Sequence, residues 1–190
     1  MRSIALWAIV GTLGLMLGAC PSGDEGGSTG SAVDGAASAR DGALPVKLYF
    51  PGPGDVLYPE LTQVPFAEGL EERIAATLAA LLSGPQDEAL SPVFATEVTV
   101  GSVFVNDRGV CFVDLTAAGE SRPPVYGSRQ EIVVAYSVVD TVLLNFPDVR
   151  SVALMWNGEQ GSSFAGHLDT TRPLLANTDL VSESSIGESR

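Results

Sequence analysis

VTVGSVFVNDRGVCFVDL, residues 98–115, decides the fold. Successive side chains in a strand point to opposite faces. Val98, Val100, Ser102 and Phe104 therefore share one face, and Thr99, Gly101, Val103 and Val105 the other. Asn106-Asp107-Arg108-Gly109 has the composition of a tight hairpin connection. Residues 110–115 then return antiparallel. Apolar residues on both faces predict that the two strands lie mid-sheet.

Helical spacing flanks this hairpin on both sides. Upstream, Leu70, Ile74, Leu78, Leu81 and Leu82 form one apolar face over residues 69–83. Glu71 and Glu72 stand in the first turn, where the helix dipole favours acid. Gly84 ends the helix and Pro85 blocks its continuation. Downstream, Ser128-Arg129-Gln130-Glu131 has the spacing of a capping box, with the glutamate reaching back to the first amides. That helix is predicted to run to Asn145, burying Ile132, Ala135, Tyr136, Val139, Val142 and Leu143, before Pro147 stops it. Asp140, beside Val139, is expected to face solvent.

Three more strands and a partner for one of them complete the pattern. Val46, Leu48 and Phe50 alternate with Lys47 and Tyr49 over residues 45–50. Residues 51–55 form a turn, and residues 56–64 return, with Pro59 confining that strand to an edge. Residues 149–156 read as a strand, Asn157-Gly158 as a two-residue hairpin turn, and residues 160–165 as the returning strand. The order is ββαββαββ. Each amphipathic helix covers sheet on one side only. The expected fold is therefore α+β: a two-layer sandwich with two helices on one face of a mixed, mostly antiparallel sheet.

The ends of the chain have different compositions. An apolar run at residues 4–19 follows Arg2 and closes on Leu17-Gly18-Ala19-Cys20. The run is shorter than the roughly 20 residues of a membrane span and contains Gly11, Gly14 and Gly18. It reads as a signal peptide, residues 1–19. Its last four residues resemble the bacterial lipobox, which implies that Cys20 is lipidated and becomes the first residue of the mature chain. Two acyl chains on one cysteine suffice for a stable tether, where a single chain holds marginally. Residues 20–43 then form the lipidated cysteine and a flexible linker rich in Gly, Ser, Ala and acid. Residues 44–175 form one domain, and residues 176–190 a disordered tail. The chain beyond Cys20 is expected on the extracytoplasmic side, periplasmic or at the cell surface.

A net charge of −13 argues against nucleic acid as a partner and against docking on anionic headgroups. Membrane attachment is expected through the lipid on Cys20 instead. Cys111, in an apolar run, reads as a small hydrophobe. A nucleophilic role would require a basic partner, and His167 is the chain's one histidine.

His167 and Asp169 lie in a distinctive Gly166-His167-Leu168-Asp169 segment. With Asp114 they could form a polar cluster, but a lone histidine makes a poor zinc site. Backbone hydrogen bonding at a strand end is the preferred role for them. A binding loop is the better functional candidate. Residues 117–127 carry Glu120, Arg122 and Tyr126 and lead into a helix N-terminus that could receive a carboxylate. No paired-carboxylate spacing, G-x-S-x-G elbow or phosphate loop is present.

Val46-Lys47-Leu48-Tyr49-Phe50, Leu81-Leu82-Ser83-Gly84-Pro85, Cys111-Phe112-Val113-Asp114-Leu115, Val139-Asp140-Thr141-Val142 and Gly166-His167-Leu168-Asp169 occur in that order. Together they resemble the GerMN domain of sporulation and spore germination proteins and of other bacterial lipoproteins. The resemblance implies a small α/β module outside a membrane, associated with envelope assemblies, with no established catalytic residues and no cofactor. The expected function is a lipid-anchored module, not an enzyme, that binds an envelope protein or itself and organises an envelope complex. The alternative is a peptidoglycan-binding or cell-wall-hydrolase-regulating factor.

Overall fold

The computed structural model describes residues 42–124 and 126–183. The signal-peptide and Cys20 readings, nearly all of the linker and residues 184–190 lie outside them. β1 (Ala43–Gly52) and β2 (Val56–Pro65) form an antiparallel ribbon. α1 (Leu70–Leu82) follows, then β3 (Thr99–Val105), β4 (Val110–Thr116), α2 (Ser128–Asn145) and β5 (Ser151–Trp156). The second sheet has the order β3-β4-β5, antiparallel at β3-β4 and parallel at β4-β5. A parallel pair needs a crossover, and α2 supplies it.

The α+β class is as expected, with two helices packed on mixed sheets in the order ββαββαβ. Of the hairpin strands, β4 alone is central, and Cys111, Val113 and Leu115 on its inner face are fully buried. β3 lies at an edge, contrary to the mid-sheet expectation. The outer apolar residues of the hairpin shield one another rather than meeting another layer. Phe104, 59% exposed, stacks at 6.1 Å on Phe112 directly across the ladder. Ile74, Leu78 and Leu81 of α1 and Val138, Val139 and Val142 of α2 meet Val46, Leu48 and Phe50 of β1 in one core with the inner face of β4.

The outer edge of β1 is sealed by side chains of α2. Ser137 Oγ donates to the Tyr49 carbonyl, and the Tyr49 amide donates to Thr141 Oγ1 at 3.1 Å. The Lys47 amide donates to Asn145 Oδ1, while Asn145 Nδ2 donates to the Lys47 carbonyl. Ser137, Thr141 and Asn145 are four apart and share one ridge of the helix. Tyr49 thus turns its main-chain groups away from β2. Its ladder partner is Pro59. In such a pair both residues point their main-chain groups outward, so the missing Pro59 N–H removes no ladder bond.

The final strand is not formed. Asn157 (φ 52°) and Gly158 (φ 81°) make the expected two-residue turn. Trp156 and Glu159 exchange both backbone hydrogen bonds across it. The pairing stops there because Leu174, not the returning segment, bonds to Val152 further along that edge of β5. Residues 159–170 close into a loop instead. Gln160 Nε2 donates to the Thr170 carbonyl, Thr170 Oγ1 to that of Gly161, and the Phe164 amide to that of Leu168.

The segment read as a loose tail from residue 176 is docked over its described part. The Asn177 amide donates to Asp140 Oδ1, and the Ser182 amide to the Leu57 carbonyl. Leu180 and Val181 pack on Tyr49, Leu57 and Val133. Among the described residues, no helix is long and apolar enough to cross a membrane.

Candidate functional site

The capping-box reading of Ser128 and Glu131 is overturned. Gly127 is the N-cap of α2, and no side chain caps that end. The Glu131 carboxylate is fully buried and turns to the 159–170 loop. Oε1 accepts from the amides of Ala165 at 2.7 Å and Leu168 at 2.9 Å. Oε2 accepts from the His167 amide at 2.9 Å and contacts His167 Nδ1 at 2.8 Å. A buried carboxylate requires several donors, and one helix amide could not have satisfied it. Burial pushes the Glu131 carboxyl up. The amides of Leu168, Ala165 and His167 and the His167 ring outweigh that and hold it below the usual carboxylate range.

The remaining polar candidates serve separate turns. Asp114 Oδ1 accepts from the Gly158 amide at 2.8 Å, steadying the β5 turn. Asp169 Oδ1 accepts from Thr171 Oγ1 and the Thr171 amide, and these bonds lower its pKa. His167 belongs to Glu131. The polar cluster of Asp114, His167 and Asp169 is therefore not assembled. Among the described residues, no group of three His, Cys, Asp or Glu is placed to hold a metal. Cys111 is buried in the core, and burial, with the Glu71 charge, pushes its thiol up to about 12.

Asp140 is buried, not solvent-facing. Its Oδ1 accepts from the Asn177 amide at 2.9 Å, while Oδ2 has no partner among the described residues. Burial raises its pKa to about 6 against the lowering effect of the Asn177 amide. Tyr49 and Tyr136 are pushed up in turn, by burial first and then by the Asp140 charge.

From the loop that carries Glu120, Arg122 and Tyr126, residues 121–123 line a cleft of about 510 Å3. The Glu120 carbonyl accepts from Trp156 Nε1 at 3.1 Å and Asn157 Nδ2 at 2.8 Å, so the loop is pinned to the end of β5. Arg122 lines the cleft. Tyr126 does not: it packs against the core, and its hydroxyl is buried without a hydrogen-bond partner among the described residues. Residues 161–166 of the loop held by Glu131 line it too, as do Leu154, Met155 and Trp156 of β5. Glu159 lies in the same cleft and was not singled out from the sequence. The one signal was its place directly after the Asn157-Gly158 turn. A second cavity lies at the N-terminus of α2, but its cation, Arg129, is already paired with Asp55 at 2.9 Å.

Known proteins share this architecture. The tandem GerMN domains of the sporulation protein GerM from Bacillus subtilis are 18% identical, with a TM-score of 0.56 over 72% of this chain and 47% of that one. This chain thus spans about half the length of that tandem structure. The first GerMN domain of the same protein, also 18% identical, matches with a TM-score of 0.53 over 72% of this chain and 99% of that one. A candidate lipoprotein from Clostridium perfringens has 18% identity and a TM-score of 0.49 over 75% of this chain and 95% of that one. No curated protein matches the chain. The family model described as "Germane: Sporulation and spore germination" matches residues 47–162, more than half of the chain. The chain belongs to the GerMN (Germane) family of sporulation and spore germination domains.

Proposed function

We propose that the protein is a lipid-anchored, extracytoplasmic GerMN module that binds an envelope protein or a second copy of itself and helps organise a cell-envelope complex. It acts in this reading as a binding module, not as an enzyme. The observation that carries the proposal is a GerMN domain on the same chain as the Leu17-Gly18-Ala19-Cys20 box. Lipid on Cys20 would tether the domain to a membrane surface. The two-stranded sheet offers the far edge of β2, where Leu61 is 72% exposed, and an exposed edge can pair with another chain. The test is crosslinking of the tethered protein in its native envelope. A defined partner or a self-ladder is expected, and Cys20→Ala should abolish both fatty-acid labelling and membrane retention. Loss of neither would overturn the tether, and capture of neither a partner nor a self-ladder would overturn the assembly role.

A second reading, cell-wall binding, is favoured by the cleft between residues 121–123 and 161–166. Retention of the protein on isolated sacculi above a control protein tests it.

A further inference from the structure

We infer that this cleft is a site for a short peptide with both ends free, its carboxylate at Arg122 and its ammonium at Glu159. The inference deepens the cell-wall reading and rests on it for the source of the peptide.

Two opposite charges share the cleft without neutralising each other. Arg122 and Glu159 both line it, yet neither makes a salt bridge or a side-chain hydrogen bond among the described residues. By contrast Arg129, which lines the cavity at the N-terminus of α2, is spent on Asp55. An unpaired guanidinium is suited to a carboxylate, which it can grip through two parallel N–H donors. An unpaired carboxylate lining the same cleft is suited to an ammonium group. A ligand with both groups satisfies both charges, whereas a simple anion would also meet the Glu159 carboxylate of the cleft.

Apolar side chains line the cleft beside polar ones. Leu154, Trp156 and Phe164 line the cleft and belong to the core. Phe94 backs them, with its ring 6.1 Å from Trp156 and 6.5 Å from Phe164. Such side chains accept small aliphatic groups, and Ser121, Ser162, Ser163 and Thr170 line the same space with polar groups suited to a peptide backbone. The volume of about 510 Å3 lies within the roughly 300–1,000 Å3 usual for ligand sites. A tripeptide, about 10 Å long when extended, is of a size that such a volume can take.

Both walls are held before any ligand arrives. The Glu120 carbonyl is fixed by Trp156 and Asn157, and residues 165–168 are fixed by the buried Glu131 carboxylate. A site built on pinned loops loses less freedom on binding.

Trialanine with free ends is the probe, titrated into the full chain in detergent and followed by heat and by tryptophan fluorescence. Trp156 reports from the cleft. N-acetyl and C-amide trialanine are the controls. Free trialanine is expected to bind, and blocking either end should weaken it about tenfold, the scale of one charge-assisted contact. Arg122→Ala should weaken free trialanine about tenfold and leave the C-amide form unaffected, with Glu159→Ala doing the same for the N-acetyl form. Both side chains are exposed, so unchanged thermal unfolding should show that the variants fold. No binding, or binding blind to both blocks and both substitutions, overturns the site. Retention on sacculi without trialanine binding overturns the site while the cell-wall reading stands. Trialanine binding without retention keeps the site and removes the wall as its source.

Discussion

Glu131 accepts from both the amide and the ring of His167, at 2.9 and 2.8 Å, across 36 positions of sequence. The contact ties the first turn of α2 to the loop that forms one wall of the cleft. Three main-chain amides converge on that one carboxylate. Leaving them unpaired costs far more than any one bond adds.

Glu131→Gln keeps the shape but offers one acceptor oxygen and turns an NH2 group towards backbone donors. It should destabilise the domain by about 2–4 kcal/mol. His167→Ala should cost less than half of that, because alanine keeps the amide. The folded pKa of Glu131 is depressed, so its contribution is full above the ordinary value of about 4.3 and is lost as pH falls through the folded value. Urea unfolding at pH 7 and pH 3.5 measures this. The difference between wild type and Glu131→Gln should narrow in acid, and equal midpoints at pH 7 would count against the anchor.

Asp140 works in the opposite direction. Its pKa is raised to about 6 by burial, so its contribution is full below the ordinary value and is lost as pH rises through about 6. Ionisation therefore costs the fold up to about 3 kcal/mol at neutral pH. Asp140→Asn retains an acceptor for the Asn177 amide and removes the charge. It should raise stability at pH 7.5 and change little at pH 4. Tyr49 and Tyr136 face the same carboxylate and stay neutral across this range. A variant no more stable than wild type at pH 7.5 would show that burial does not penalise the ionised Asp140 carboxylate.

The α2 ridge against β1 gives a graded series. Thr141→Val is nearly isosteric and strips the buried Tyr49 amide of its acceptor, at a cost of about 1–3 kcal/mol. Ser137→Ala does the same to the Tyr49 carbonyl, and a comparable loss is expected. Asn145→Ala frees Lys47 groups that water can reach, so it should cost about 1 kcal/mol or less. Urea unfolding ranks the three, and hydrogen exchange at the Tyr49 amide should quicken most in Thr141→Val. An Asn145→Ala loss as large as that of Thr141→Val would contradict the buried-edge account.

The elements were legible wherever the signal was local. The hairpin at residues 98–115, the Gly84-Pro85 stop and the positive-φ pair at Asn157-Gly158 depend on nearby residues, and the structure has them, except that a β-bulge between Val100 and Ser102 turns Val100 to the face of Val103 and Val105 rather than that of Phe104. What sequence could not show was the destination of side chains whose partners lie far along the chain. Ser128-x-x-Glu131 satisfies a local pattern, but Glu131 is claimed by amides 34 to 37 positions away. Asp140 reads as solvent-facing, yet it is buried and accepts from the Asn177 amide 37 positions away. The return strand fails for a similar reason, since Leu174 occupies the edge it needed. Of the loop residues named from sequence, Arg122 reaches the cleft, while Glu120 contributes its carbonyl and Tyr126 turns to the core.

Asn157 joins two of these features, because it takes a left-handed conformation at φ 52° and donates to the Glu120 carbonyl at 2.8 Å. Asn157→Ala loses the bond and adds about 1–2 kcal/mol of backbone strain. Asn157→Gly loses the bond but accepts the conformation without that strain. The alanine variant should therefore be the less stable of the two, and the difference isolates the turn. Their effect on the cleft should be alike. Each removes one of two donors holding Glu120, leaving Trp156 Nε1 alone. Hydrogen exchange of the amides at residues 118–122 should quicken equally in both variants, ahead of the rest of the domain. Faster exchange in alanine only would mean that strain in the turn, not the side-chain bond, controls that wall.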